Sequence, residues 1–427
     1  MNFIILPNQL FDLSYLDKKY TYYIWEHSHY FKKYKYNKKK IILHKASMTY
    51  YFSFLKKNNF VVHYISLYNK LPNKNYIIFD PIDKLDLPKK IKYIESPNFL
   101  LSKENYKEYR TKTDKFFFNS FYMWGKRQIN IIPNIKSQDK DNRNKLKSDT
   151  NIPKLPNNNK DAKFIKIGIN FTNQKFKNNY GNVHNFIYPV THNTAKKFLI
   201  FFLKYKFKNF GKYQDAILST NNYLYHSILS SSINIGLLNP NDIIKIIQKY
   251  KSTIPINSYE GYIRQLFWRE YQRYCYIYIN FNNLNYFNNQ LKLTKKWYNG
   301  TTGILPVDNS IKNGFNSGYL HHIERLMIIG NYMNLSYIHP SEGFKWFMEF
   351  SCDSYEWVMC QNVYEMVFFV SGGKTMRRPY ISSSNYILKM SNYKKDTWCD
   401  IWNQKYYKFI KKNKKKLYKF RYYFRNI

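Results

Sequence analysis

The spacing of apolar residues changes period once along this chain, and that change limits the folds open to it. Over residues 1–130 short apolar runs recur. "NFIILP" (2–7), "YTYYIW" (20–25), "KIILHK" (40–45), "VVHYISL" (61–67) and "NYIIFD" (75–80) read as strands. "ASMTYYFSFLKKNN" (46–59) carries its apolar residues at helical spacing instead. Strand and helix in alternation predict a Rossmann-like α/β domain, a parallel sheet with helices on its faces. Ligands of such sheets sit beyond the C-terminal strand ends, here near "LPNQLF" and "EHSHYF". No GxGxxG or Walker sequence is present to mark an ordinary nucleotide site.

From about Pro189 the period is helical and stays so. Helices are expected at 193–208, 212–230, 240–251, 258–279, 315–333, 340–351 and 401–422. Between the two patterns, 131–162 is polar and rich in Asn, Lys and Pro, as mobile linkers are. The predicted organisation is an α/β domain over 1–130, an interdomain linker over 131–188 and an all-α domain over 189–427.

A length of 427 residues supports two or three domains with proper cores. Lys and Arg number 69 against 27 Asp and Glu, a net charge of +42 that favours a polyanionic partner. Nucleic acid comes before an anionic membrane surface. Part of the excess follows the heavy use of Lys, Asn, Ile and Tyr throughout. The stretch from Lys405 onward holds ten basic residues and no acid. A solvated tail and a phosphate-contacting helix both remain open for it. The four cysteines, Cys275, Cys352, Cys360 and Cys399, include no CxxC pair, and no secretory signal pattern is present. Disulfides and structural zinc are therefore not expected, and the protein is expected to be intracellular. No run of about 18 apolar residues suggests a transmembrane helix.

Four segments carry candidate chemistry. "HSILSSSINIG" (226–236) places hydroxyls and backbone amides together, as helix starts that hold a pyrophosphate do; Ser-rich loops also simply cap helices. "SYEGYIRQLFWREYQRY" (258–274) sets Gly261, Gln265, Trp268 and Arg269 at helical spacings, either a polar-aromatic stripe or a solvated helix face. Six of the eight tryptophans fall within 268–402. Most will be packing residues, yet aromatic side chains in a basic setting also stack unpaired bases. Residues 356–393 read as a long non-helical stretch with Gly372–Gly373 and Arg377–Arg378, suited to phosphate and base contact. In "GYLHHIERLM" (318–327) two adjacent histidines interrupt an apolar helical run. Neighbours on a helix point about 100° apart, so one ring can pack inward while the other faces a cleft.

These segments, with "LPNQLF", "ESPNFLLS", "FGKYQDA", "EGYIRQLFWREY", "TGILPVD", "GNYMNL", "YEWVMCQNVY", "RPYISSSNYILKMS" and "WCDIW" in order, resemble the photolyase/cryptochrome superfamily. The nearest branch is that of deoxyribodipyrimidine photolyase-related proteins. The resemblance implies an antenna-type α/β domain followed by a helical domain that holds a U-shaped FAD. A lumazine or folate antenna in the first domain is compatible with it. The implied activity is light-driven repair of UV-damaged DNA, single- or double-stranded. Reduced FAD gives one electron to a pyrimidine dimer, or to a six-four photoproduct, flipped out of the strand. A cryptochrome-like photoreceptor without repair activity is the alternative. A monomer is the default.

Residue roles follow from the resemblance alone. His226, Ser227, Leu229, Ser230 and Ser231 match the phosphate-holding segment, and Gln265, Trp268, Arg269, Arg325 and Asn362 lie against the cofactor. His321 and His322 match the lesion-pocket pair of six-four photolyases, where an imidazole can give and recover a proton. Tyr380 and Tyr386 match tyrosines at the lesion or DNA face. Trp346 matches the inner tryptophan of an electron-transfer chain, and Tyr298 stands where many relatives have a tryptophan.

Three departures accompany the match. Pro306 and Lys394–Lys395–Asp396 occupy positions where iron–sulfur members have cysteines, so no [4Fe–4S] cluster is expected. The pattern "YGMSQFADGG" reads "YEMVFFVSGG", with Glu365 for a glycine, Val367 and Phe368 for polar residues and Ser371 for an aspartate, which puts the electrostatics near the cofactor and repair itself in question. Met359 stands where some six-four enzymes have a glutamate.

Overall fold

The computed structural model describes residues 1–424. Arg425, one of the basic residues of the C-terminal stretch, lies outside the described residues. Five parallel strands form one sheet: β1 (Asn2–Ile5), β2 (Thr21–Trp25), β3 (Val62–Ile65), β4 (Tyr76–Phe79) and β5 (Ile91–Ile94). Their order is β3-β2-β1-β4-β5. β1 lies at the centre, with Asn2 level with Thr21 on one side and Tyr76 on the other. Phe3, Ile4, Ile5, Ile24 and Ile78 are all buried, which is why these strands read as apolar runs rather than as alternating ones.

Strand order reverses between β1 and β4, so the crevice expected of such sheets opens over Leu6–Gln9 and Asp80–Asp83. Gln9 Nε2 bridges it by donating to the Phe79 carbonyl at 2.6 Å. Beyond it, Asp83 Oδ1 accepts from the Trp357 amide at 2.9 Å, which fastens the sheet's end to the helical half.

"KIILHK" is not a strand; it lies inside the Lys38–Lys57 helix. The helix hides its period because Lys39 and Lys40 are buried, their ammonium groups donating to the carbonyls of His184 and Ser354. β5, "IKYI", carries a lysine and a 53 % exposed Tyr93 on the sheet's edge, so no apolar run announced it. Within the expected linker, Ala162–Lys175 forms a helix against Lys38–Lys57, and Gly168 permits the approach. A Cβ on Gly168 would stand 2.9 Å from the Ile42 carbonyl.

The second half is helical. The helices expected near 193, 240, 258, 340 and 401 are present with shifted ends. The expected helix at 212–230 is absent: the chain there turns through loops, and only Ser230–Asn234 is helical. The stretch 356–393 is partly helical, at Glu356–Met359, Cys360–Val367 and Asn385–Met390. The expected helix over 315–333 is broken. Leu305–Ser317 ends at Gly318 (φ +71°), whose amide donates to the Gly314 carbonyl at 2.8 Å. A Cβ at Gly318 would meet the Cys352 sulfur at 2.5 Å, and the left-handed φ itself favours glycine. The chain resumes as helix over Glu324–Gly330 and Asn331–Leu335.

The Ile256–Tyr278 helix is buried on nearly every side and ties both halves together. Glu270 accepts from the amides of Leu100 and Leu101 at 3.0 and 3.2 Å, and Arg273 donates to Glu95 Oε1 at 2.6 Å. Among the described residues no helix is long and apolar enough to cross a membrane.

Candidate functional site

A cavity of about 610 Å³ lies between the Ile256–Tyr278 helix, the chain around Gly318–Met327, the Cys360–Val367 helix and the loop leading into Ser230–Asn234. Its size and mostly apolar lining suit a cofactor-sized ligand. His226, Ser227, Leu229, Ser230, Gln265, Trp268, Arg269, His321, His322, Arg325, Asn362, Tyr380 and Tyr386 all line it. Residues scattered over 160 positions of sequence thus meet around one space. Ser231 is buried behind the wall, and Trp346 and Tyr298 lie outside it.

The Ser-rich loop is strained where it meets the cavity. Ile228, a β-branched residue, holds φ at +56°, a conformation kept only when surrounding structure demands it. The Ser230 hydroxyl donates to Asp353 Oδ2 at 2.7 Å, and Asn234 Nδ2 donates to the Asp353 carbonyl at 2.9 Å. Arg325 grips the same carboxylate with two nitrogens, at 3.0 and 3.2 Å. Arg325 holds the Asp353 carboxyl below its ordinary range despite burial. The Ser230 hydroxyl proton is thus already committed to Asp353, which leaves that oxygen only as an acceptor.

His321 and His322 diverge as neighbours on a helix start should. His321 is buried at 2 % exposure, and its ring stacks on His226 with centroids 5.0 Å apart. His322 reaches outward, its Nε2 3.1 Å from Asp215 Oδ1. Burial pushes the His226 and His321 imidazoles well below their ordinary range, helped by each ring's cationic and imidazole neighbours. Both are neutral at pH 7. Behind His321, Glu324 Oε2 stands 3.3 Å from its Nε2, and burial lifts that carboxyl to about 8.

Trp268 lies flat on Phe118 at 3.7 Å, forming an aromatic shelf on the cavity wall. Arg269 donates to Asn234 Oδ1 at 3.0 Å and to the Asn98 carbonyl at 2.5 Å while lying over Phe99 and Trp357. Asn362 accepts from Gln272 at 3.0 Å and donates to the Val358 carbonyl. At the rim, the Arg378 guanidinium sits 5.8 Å from the Tyr380 ring and 4.7 Å from Tyr423.

Of the altered positions, Val367 lines the cavity, whereas Glu365, Phe368 and Ser371 do not. Glu365 is fully buried and is absent from the lining, which that helix supplies through Asn362, Val363, Met366 and Val367. Its carboxylate accepts from the Ser371 amide at 3.1 Å, and from the Ser371 and Thr375 hydroxyls at 2.8 Å each. Asp139, Arg143 and Asp215 also line the cavity, and sequence reasoning missed them. Two lie in the expected linker, where nothing but charge distinguished them. Arg143 donates to Asp139 at 2.6 Å, which lies 2.8 Å from Arg264.

The residues fit a flavin dinucleotide. Several polar atoms in and behind the wall lack protein partners, among them His226 Nε2, His321 Nδ1 and the hydroxyls of Ser231 and Ser232. Buried polar groups left unpaired at a roomy cavity are what a polar ligand would satisfy. The cysteines lie on separate stretches of chain, and among the described residues no group of three or more His, Cys, Asp and Glu side chains could share a metal ion.

Comparisons with known proteins identify the family and the fold. The family described as "Deoxyribodipyrimidine photo-lyase-related protein" matches residues 3–85 and 78–188. A (6-4) photolyase of Agrobacterium fabrum is 32 % identical over 346 residues, 75 % of this chain and 67 % of that protein. The crystal structure of a bacterial class III photolyase from Agrobacterium tumefaciens superposes with a TM-score of 0.61 at 12 % identity, covering 91 % of this chain and 86 % of that one. A cryptochrome of Synechocystis sp. PCC6803 gives 0.60 at 13 %, covering 91 % and 88 %. At such identities the two structures show the fold alone, an α/β domain joined to a helical one. Sequence and fold together place this chain in the photolyase/cryptochrome superfamily, within its photolyase-related branch.

Proposed function

We propose that the cavity holds FAD and that the protein is a light-driven photolyase for UV-damaged DNA, with six-four photoproducts as its lesion. One observation carries the reading: the buried His226–His321 stack, exposed His322 and the tyrosines Tyr380 and Tyr386 share one cofactor-sized cavity. The 32 % identity to a (6-4) photolyase supports the choice of lesion.

Reduced flavin would supply one electron on excitation by blue light. The protein's own part is positioning and proton control. The backbone around Ile228–Ser230 and the Arg325–Asp353 pair would fix the dinucleotide, and Trp268 on Phe118 would wall one side. His321, neutral and with Nδ1 free of protein partners, is able to give or take a proton at that atom. Glu324 beside its Nε2 keeps its own proton at neutral pH and is placed to resupply the ring. The basic surface and the rim formed by Arg378, Tyr380 and Tyr386 would receive a strand whose damaged bases are turned out.

The test is an absorption spectrum of the purified protein, followed by blue-light incubation with an oligonucleotide carrying one six-four photoproduct. Flavin absorbance with lesion loss in wild type and none in His321→Ala supports the proposal. A flavin-bearing protein that leaves both six-four and cyclobutane lesions intact makes it a photoreceptor instead. A protein that takes up no flavin overturns the reading.

A further inference from the structure

Outside the cavity, one buried phenol–carboxylate pair has no role in the reading above. Tyr298 Oη donates to Glu349 Oε2 at 2.9 Å, and Glu349 is 1 % exposed. The Tyr298 ring stacks on Tyr180 at 4.6 Å with planes 18° apart, and both rings are half-buried. On the inner side, Tyr298 and Trp346 both pack on Phe315, at 5.9 and 5.5 Å. Trp346 Nε1 donates to the carbonyl of Trp297, the residue before Tyr298. Trp346 also packs on Phe350, which lies under the cavity-lining Arg325 guanidinium.

We propose that Glu349 is the proton acceptor that lets Tyr298 fill an electron vacancy on Trp346, with Tyr180 as the outer relay toward solvent. This rests on the reading that the cavity holds a flavin, the photoexcited oxidised form of which would take the electron from Trp346. A phenol that loses an electron becomes a strong acid, so tyrosine oxidation is easy only where a base stands ready. In the step, one electron passes from the Tyr298 ring to the Trp346 radical cation. The Oη–H bond breaks, and its proton goes to Glu349 Oε2. The products are neutral Trp346, a neutral tyrosyl radical and a protonated carboxyl. A thiol reductant in solution, reaching the radical through Tyr180, returns the electron, and Glu349 returns the proton.

The groups facing Glu349 favour this use. Burial raises its carboxyl above the ordinary range, while Lys35, Lys345 and the hydrogen bonds from Tyr298 and the Lys35 amide oppose that rise. Tyr298 is held as a phenol by burial and by the charges of Glu349 and Glu342, with Tyr180 adding to the effect. The proton therefore rests on the tyrosine until the electron leaves.

The test is transient absorption of the flavin-loaded protein, read at the tyrosyl radical's own band in Tyr298 and Tyr298→Trp backgrounds, each with and without Glu349→Gln. Tryptophan needs no base to carry the vacancy. Glu349→Gln should slow tyrosyl formation by about a hundredfold, the lower end of general-base effects. It should change tryptophan oxidation in Tyr298→Trp by less than about twofold. Radical yield in wild type should also fall on acidification, as Glu349 takes up a proton. Equal losses in both backgrounds would make Glu349 merely structural and overturn the proposal. So would a tyrosyl signal that persists in Tyr298→Phe, which would route the electron through Trp297, Tyr332 and Trp402, spaced 5.8 and 5.0 Å apart. A protein without flavin fails before this experiment and overturns both readings.

Discussion

The imidazoles of His226 and His321 lie face to face, 5.0 Å apart with their planes within 13° of each other, although they come from segments 95 residues apart. A proton on either ring places a buried charge beside its neighbour, so burial favours the state in which both are neutral.

That neutrality sets an acid limit on stability. Both imidazoles titrate well below 6.5 when folded, whereas the unfolded chain binds their protons near 6.5. The unfolded state therefore holds more protons as pH falls below that value, and stability is lost progressively. Glu324 pulls the wild-type profile the other way over this range, so the difference between two proteins is what reports on the rings. Between pH 7 and about pH 5, urea midpoints of wild type should fall relative to those of His321→Gln, which never charges. An unchanged slope would mean that the rings take up protons without penalty.

Glu324 sets the opposite limit. Its carboxyl is raised from 4.5 to about 8, so between those values the folded protein holds a proton that the unfolded chain releases. Stability then falls as pH rises through this window, by at most about 1.4 kcal/mol per unit. His321, Ser310 and Arg325 are the groups that face Glu324 and moderate the effect. Glu324→Gln keeps the shape and removes the titration. Its midpoint should match wild type near pH 5 and exceed it near pH 8. A variant that is weaker at both values would show that the carboxylate, not the acid, is the folded form.

Asp353 joins the cavity's two walls. It is the shared acceptor of Arg325, Ser230 and Asn234, and both members of its ion pair are mostly buried. Asp353→Asn leaves the Arg325 charge in place without its counter-charge. Breaking a buried pair in this way costs about 3 kcal/mol or more. The expected result is a matching loss in urea stability together with weaker flavin retention. A small stability change with full loss of flavin would assign Asp353 to the ligand rather than to the frame.

Much of this frame was legible in the sequence, because buried parallel strands and long amphipathic helices leave clear periods. The parts that were not legible share a cause. Lys39, Lys40, Arg269 and Arg273 are buried charges satisfied by carbonyls or carboxylates far along the chain, and no local pattern reveals such partners. Gly318 splits an apparently continuous helix through its left-handed φ, and the sulfur of residue 352 leaves no room there for a side chain. Resemblance named many of the lining residues but not Asp139, Arg143 and Asp215. The stack of His226 on His321, and the retreat of Glu365 from the cavity, required coordinates.

Glu365 and Ser371 give the sharpest contrast between a letter and its place. By resemblance, the family pattern puts a glycine at the first position and an aspartate at the second. Here a carboxylate stands at residue 365 instead, and it accepts from the Ser371 and Thr375 hydroxyls and the Ser371 amide. The loop 371–375 thus takes its carboxyl acceptor from the helix rather than from within itself. Burial raises the Glu365 carboxyl, and these three donors and Lys374 oppose the rise. Glu365→Gly removes the acceptor, opens a void and adds glycine's backbone entropy. The expected loss is about 3 kcal/mol in urea unfolding, since hydrogen bonds to charged groups contribute about 1.5–3 kcal/mol each and partly couple. Adding Ser371→Asp returns a carboxylate beside Thr375 and should recover part of that loss. If the double variant is no more stable than Glu365→Gly alone, the two substitutions are independent drift and the carboxylate has not been relocated.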